Sequence, residues 1–238
     1  MNPVELILLI TFSFLPPIFY VIWIRNTERY NLESWYPIAL CFIWGATVAV
    51  IASLILEILL SSSLSASITN ITTLGFISAV VIAPFAEELT KPLALNIKLV
   101  RRELDEIEDG FIYGATAGLG FAATENLLYG SIFIKQGFII FIILILVRSI
   151  GGCLLHASAT AFTGYGITRS IIQKTPYIQA IPYLLLAMFL HGLFNFLVSF
   201  ETIGVFSGLL LALILSMISI IYIRKKIQIF DSQNIIDN

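Results

Sequence analysis

The stretch Pro84-Phe85-Ala86-Glu87-Glu88-Leu89-Thr90-Lys91 decides how this sequence is interpreted, because it places two adjacent carboxylates inside an apolar run. An ionised side chain at bilayer depth costs roughly 2.5–3.5 kcal/mol on insertion scales, so acids at that depth are rare and usually functional. Three further apolar segments carry Glu125 and the only two histidines, His156 and His191. These costly groups on four separate segments predict one shared site.

The composition excludes a soluble domain. Of the 238 residues, 58% are hydrophobic and 12% are charged, and the mean hydropathy is +0.97. A soluble domain carries about a quarter charged residues. The net charge of −2 comes without a basic cluster, so nucleic-acid partners are not expected. The sequence therefore predicts an all-α, polytopic integral membrane protein whose partners lie in the lipid bilayer.

Hydropathy and length predict about seven transmembrane helices in a single domain that covers residues 1–238. A spanning helix needs about 20 mainly apolar residues. The predicted spans are residues 4–24, 37–60, 76–98, 110–134, 148–168, 177–200 and 203–223.

The segment 138–168 is too long for one ordinary span and has Arg148 in its middle. An arginine at the centre of a membrane is disfavoured. We therefore predict that residues 138–147 form a re-entrant or interfacial piece that covers the site, and that the fifth span begins near Arg148.

Two other features concern the fourth span. The acidic run from Glu103 to Asp109 precedes it and predicts a solvated connection. Gly110, Gly114 and Gly118 follow at four-residue spacing, which predicts close packing of this helix against a neighbour.

The distribution of basic residues predicts the orientation, because cytoplasmic connections are enriched in Lys and Arg. The first, third and fifth connections and the C-terminal segment carry most of them, whereas the alternate connections carry only Lys135 and the boundary residue Arg148. We expect a cell-membrane protein with its N-terminus outside and its C-terminus in the cytoplasm. Counted from the outer helix ends at about 1.5 Å per residue, the acidic and histidine groups then share one depth, roughly 12–17 Å.

The residue types suit metal-assisted hydrolysis of an amide. Two imidazoles and one or two carboxylates form a plausible zinc site with a position open for water. The candidate ligands are Glu87, Glu125, His156 and His191. Glu87 or Glu88 could take the proton of that water. Asn195, four residues after His191 on the same helix face, could donate a hydrogen bond to the oxyanion.

Simpler explanations stay open at this point. Glu87 and Glu88 could pair with Lys91 at a membrane boundary, and histidine or asparagine on an apolar helix is commonly hydrogen-bonded to another helix. The two glutamates are about 100° apart on a helix, so only one is expected to face the site. In a metal-independent alternative, one buried glutamate itself activates water.

Four motifs occur in order: E-E-x-x-K at residues 87–91, F-x-x-x-E-N at 121–126, His156, and H-x-x-x-N at 191–195. Together they resemble the PrsW family of intramembrane proteases, within the wider group of CAAX prenyl proteases and bacteriocin-immunity-type membrane proteins. The resemblance covers about residues 76–200. It implies that Glu87 or Glu88 activates water, and that Asn195 stabilises the oxyanion. It assigns Glu125, His156 and His191 to the site or to a metal.

The resemblance also implies a membrane-anchored protein substrate, which in PrsW proteins is an anti-sigma factor. Glu125 stands where prenyl proteases carry histidine, and this difference argues against a prenylated substrate. Two other functions stay open: a proton- or cation-coupled transporter, which also uses intramembrane acids and histidines, and a non-catalytic binding protein. The absence of an inverted sequence repeat argues against the transporter.

Overall fold

Seven long helices make up most of the computed structural model, which describes residues 2–199 and 204–237, with side chains up to residue 233 in the last helix. They are α1 (Pro3–Arg25), α2 (Trp35–Ser65), α3 (Ile71–Asn96), α4 (Asp109–Phe133), α5 (Phe138–Ile172), α6 (Tyr177–Ser199) and α7 (Val205–Asp237). These residues contain no β-strand. The predicted all-α, polytopic helix bundle is confirmed.

Six of these helices are long and apolar enough to cross a membrane, and α4 is the exception. α4 is rich in glycine, and all its residues from Asp109 to Ala123 are buried. A helix enclosed by protein needs no apolar surface towards lipid. The chain is therefore a multi-pass membrane protein, while the predicted count of seven spans stays a prediction that depends on α4.

The predicted break at Arg148 is wrong. α5 continues without interruption through 35 residues, with a π-helical turn at Ser149–Cys153, so residues 138–147 are its first part and not a separate re-entrant piece. The reason is that the Arg148 guanidinium is partnered by Glu125 and Asn126 of α4. Arginine is tolerated in a span when such partners are present. The predicted boundaries at Phe200 and Ile203 lie outside the described residues.

The acidic run before α4 also differs from its predicted solvated state. Glu103 and Asp105 are exposed, but Glu108 and Asp109 are buried. They are covered because Glu28 and the end of α7 lie close to this end of α4. The acidic run is thus exposed to solvent at Glu103 and Asp105 and buried at Glu108 and Asp109.

The glycines of α4 bring two neighbouring helices into backbone contact. A Cβ atom at Gly110, Gly114 or Gly118 would collide with the backbone of α5, and one at Gly120 would collide with α2. The predicted close packing is confirmed. At Gly118 the atom in the way is the backbone carbonyl oxygen of His156, so this contact also positions a predicted site residue.

Gly118→Ala should lower the free energy of unfolding by about 1–3 kcal/mol, because the added methyl group forces α5 away from α4. Thermal unfolding of the detergent-solubilised protein measures this loss. Gly75→Ala in α3 is the matched control, since no heavy atom lies within 4 Å of its Cβ position. The control should be neutral or gain up to about 1 kcal/mol from helix propensity. Equal stability of the two variants would contradict the described packing.

Candidate active site

Four helices bring the predicted site residues together inside the bundle. α3 supplies Glu87 and Glu88, α4 supplies Glu125, α5 supplies His156, and α6 supplies His191. The two histidine rings lie 4.8 Å apart between their centroids, nearly perpendicular to each other. The prediction of a shared location therefore agrees with the described geometry.

Irregular turns shape α3 on both sides of the glutamate pair. A π-helical turn covers Ser78–Ile82, and a 3-10 helix begins at Lys91, where Pro92 has no N–H group to continue the regular bonding. Asn195 of α6 donates a hydrogen bond from Nδ2 to the carbonyl oxygen of Ala79, at 2.8 Å. This bond holds Asn195 against the π-helical turn, close to the site.

Lys91 lies at the centre of the site. Its Nζ donates to Glu87 Oε2 at 2.7 Å, to Glu88 Oε1 at 2.9 Å and to His156 Nδ1 at 2.8 Å. It also lies 4.2 Å from the centre of the Phe121 ring. The side chain is fully buried. Both carboxylates therefore contact one ammonium group, although adjacent residues on a helix point about 100° apart.

The two glutamates differ in what else they contact. Glu88 is fully buried, and it accepts hydrogen bonds from Thr160 Oγ1 at 3.0 Å and from His191 Nδ1 at 2.9 Å. Glu87 lines a cavity of about 430 Å³ together with both histidines and Asn195. Glu87 is thus the member of the pair that water in the cavity can contact.

His156 is held at both ring nitrogens. Because Nδ1 accepts from the Lys91 ammonium, Nε2 carries the proton and donates to Glu125 Oε2, 2.7 Å away. Glu125 also accepts from Arg148, at 3.2 Å. A carboxylate on the far nitrogen of a histidine is the usual arrangement behind a metal-binding imidazole. Glu125 therefore orients His156.

Four donors could hold a metal ion. Glu87, Glu88, His156 and His191 each offer an atom within 4.8 Å of the others. This set differs from the predicted ligands, since it includes Glu88 in place of Glu125. Two imidazole nitrogens and two carboxylates suit zinc. The Lys91 ammonium contacts three of the four, so the residues are already arranged around a positive charge.

A second cavity adjoins the first. It has a volume of about 440 Å³ between α2 and α4 and shares Glu57, Glu87 and Glu125 with the first cavity. Its other walls are largely apolar and include Leu54 and Leu128. The site therefore adjoins a mainly apolar groove between α2 and α4.

Three polar groups of the site were missed or misread from the sequence. Lys91 is predicted only as a partner of Glu87 and Glu88 at a membrane boundary, whereas the structure places it at the centre of the site. Thr160 could have been found, because it lies four residues after His156 on the same face of α5. Arg148 carried no such signal, since its partners are on another helix.

The fold and the site define a polytopic membrane protein with a buried glutamate–histidine centre. The family model described as "PrsW family intramembrane metalloprotease" matches residues 33–223, and the chain belongs to this family. The resemblance stated above is confirmed.

A relative named "Protease PrsW" from Clostridioides difficile (strain 630) is 30% identical over 118 residues, which are 49% of this chain and 48% of the relative. The alignment thus spans about half of that relative's length. No solved structure gives a significant match.

Proposed function

We propose that this chain is an endopeptidase that hydrolyses a peptide bond of a membrane-anchored protein within or beside the bilayer. The observation that carries this proposal is the position of Glu87, which lines the cavity and lies among Glu88, His156 and His191. Membership of the metalloprotease family supports it.

In this proposal Glu88, His156 and His191 would hold a divalent metal ion once the Lys91 ammonium releases Glu88 Oε1 and His156 Nδ1. Zinc is the best match to these donors. When bound, such an ion supplies Lewis acidity that makes a water molecule a nucleophile near neutral pH. Glu125 holds the imidazole of His156 in place through Nε2. Thr160 fixes one oxygen of Glu88 by a hydrogen bond.

The proton of the attacking water passes to the Glu87 carboxylate, which has the access that a general base requires. The peptide carbonyl oxygen gains negative charge as water adds to it. Within the described residues Asn195 donates one Nδ2 hydrogen, to Ala79, and in this proposal the second stabilises the oxyanion. Arg148 also lines the cavity and adds positive charge there. The Glu87 proton is then transferred to the leaving amine.

The substrate is proposed to enter through the groove between α2 and α4, because its apolar walls fit a segment that leaves lipid. Leu144, in the first part of α5, lines the cavity of about 430 Å³ that holds Glu87. An anti-sigma factor as substrate is a proposal from family resemblance alone. The N-out, C-in orientation in the cell membrane also stays a prediction.

Cleavage of single-span reporter proteins in liposomes tests the proposal. Chelator should abolish cleavage and zinc should restore it. Ion flux measured in the same liposomes, without cleavage, would favour the transporter instead.

His156→Ala and His191→Ala should each reduce cleavage and bound metal about as much as the double variant does. Groups that act as one unit are strongly non-additive when removed. Turnover and metal content of the purified proteins measure the two effects. Small losses that add in the double variant would indicate that the histidines only pack against each other.

A further inference from the structure

A second group of carboxylates lies at the opposite end of α4 from Glu125, about 24 Å away along the helix axis. It contains Glu28 and Glu33 from the α1–α2 loop (residues 26–34) and Asp109 at the start of α4. Each of these three offers an oxygen within 4.8 Å of the other two, and all three are buried. Glu28 belongs to a second such trio with Glu108 and Asp231, so five acidic groups meet here.

Four of these acids lack an oppositely charged partner among the residues that the structure describes. Within residues 2–199 and 204–233, no Lys, Arg or His forms an ion pair with Glu28, Glu33, Asp109 or Asp231. The nearby Arg25 donates instead to the backbone carbonyl of Glu33. In contrast, the candidate active site surrounds its two glutamates with a lysine and two histidines.

The Glu28 carboxylate provides a separate observation that indicates a ligand. The residue is 2% exposed, and its Oε1 has no hydrogen-bond partner in the described chain. Its Oε2 accepts the backbone N–H of Glu33, which holds the side chain within the cluster. A buried carboxylate oxygen without a donor is costly unless a proton or a cation satisfies it.

Other bonds hold the remaining two carboxylates in place. Asp109 Oδ2 accepts backbone N–H groups of Asp105 at 2.9 Å and Glu106 at 2.7 Å. The Tyr113 hydroxyl donates to Glu33 Oε2. The trio is therefore oriented by its surroundings.

Electrostatics agree with this description. Burial, reinforced by the negative charge of Glu33, raises the pKa of Glu28 to about 8, and burial also raises the pKa of Glu33 to about 7. Both carboxyls lie in the α1–α2 loop. Burial is the larger cause of both shifts, and neighbouring negative charge adds to it.

We propose that Glu28, Glu33 and Asp109 bind one hard divalent cation, of the Mg²⁺, Ca²⁺ or Mn²⁺ class, at a site separate from the candidate active site. Oxygen-only donors select these cations, whereas the imidazole-containing set around Lys91 suits zinc. The neighbouring carboxylates of Glu108 and Asp231 add to the negative field.

Such a cation would join three parts of the bundle. Glu28 and Glu33 are in the α1–α2 loop, and Asp109 begins the central helix. Asp231 of α7 accepts backbone N–H groups of Arg29 at 3.0 Å and Tyr30 at 3.3 Å, so α7 is tied to the same loop. The cation would hold this loop against α4 and α7 and stabilise the end of the bundle far from Glu87.

Mn²⁺ titration of the full-length protein in detergent, followed by electron paramagnetic resonance, tests the site. Wild type should bind one Mn²⁺ that Mg²⁺ or Ca²⁺ displaces, and Glu28→Gln should weaken this binding at least tenfold. Mn²⁺ at about 100 times its dissociation constant should raise the melting temperature of the wild type by about 5–10 °C. Glu103→Gln is the matched control, because Glu103 is an exposed acid of the same region.

Stability in chelator separates a cation site from a hydrogen-bonded core. Glu28→Gln and Asp109→Asn each replace a buried carboxyl that has no positive partner with a neutral amide of similar size, so in chelator they should melt no lower than the wild type while losing the Mn²⁺-dependent rise. If both melt lower than the wild type in chelator, or if Glu28→Gln binds Mn²⁺ as tightly as the wild type when the candidate active site is filled with Zn²⁺, the proposal is overturned. Absence of Mn²⁺ binding in the wild type also overturns it. None of these results depends on protease activity.

Discussion

Glu87→Gln should reduce peptide cleavage by about a thousandfold or more while the protein stays folded. Glutamine keeps the size of the side chain but cannot take a proton from water. The amide oxygen of glutamine can still accept a hydrogen bond from the Lys91 ammonium, so the arrangement of side chains around Lys91 should be kept. Initial rates on a reporter that the wild type cleaves, with melting temperature measured in parallel, give the two quantities.

The matched control for this variant is Glu57→Gln, because Glu57 lines the same cavity without a hydrogen bond to the central residues. Its cleavage rate should stay within a few-fold of the wild type. If Glu87→Gln retains wild-type cleavage, or if the two variants lose activity equally, Glu87 is not the general base.

Lys91→Met should cost about 3–5 kcal/mol of folding free energy in the presence of chelator. The ammonium is the shared partner of two buried carboxylates and one imidazole, and its removal leaves buried charge unpaired. Zinc should restore part of this loss, because a bound cation replaces the missing charge among the same donors. Thermal unfolding with and without zinc measures both effects.

Lys98→Met is the control for that prediction, since Lys98 is exposed just after α3. It should change the folding free energy by less than about 0.5 kcal/mol. An equally small effect of Lys91→Met would mean that the described ammonium contacts do not hold the site together.

The sequence was sufficient to predict the helical membrane fold and the meeting of Glu87, His156 and His191. Charged groups in apolar runs cost free energy, so their presence in the sequence indicates a functional site. The four-residue spacing of glycines in α4 also predicted close helix packing. At Gly118 the structure shows this contact, because a Cβ atom there would collide with the backbone of α5.

Hydrogen-bond partners that lie on different helices could not be predicted from the sequence. The sequence predicts a span that begins at Arg148 because the partners of this residue, Glu125 and Asn126, are remote in sequence. It predicts Glu125 as a metal ligand for the same reason, since the contact of Glu125 with Nε2 of His156 depends on the angle between α4 and α5. The burial of Asp109 arises where the α1–α2 loop meets α4, which local charge patterning does not report.

The most direct test of the proposed chemistry is mass spectrometry of new protein termini in membranes that contain either the wild type or Glu87→Gln, prepared in ¹⁸O-labelled water. We expect ¹⁸O in new C-terminal carboxyl groups of membrane-anchored proteins, in the wild type only, at cuts near the outer membrane boundary. The same labelled termini in the Glu87→Gln sample would contradict the proposed role of Glu87. Cuts confined to cytoplasmic segments would contradict the predicted depth of the site, roughly 12–17 Å from the outer helix ends.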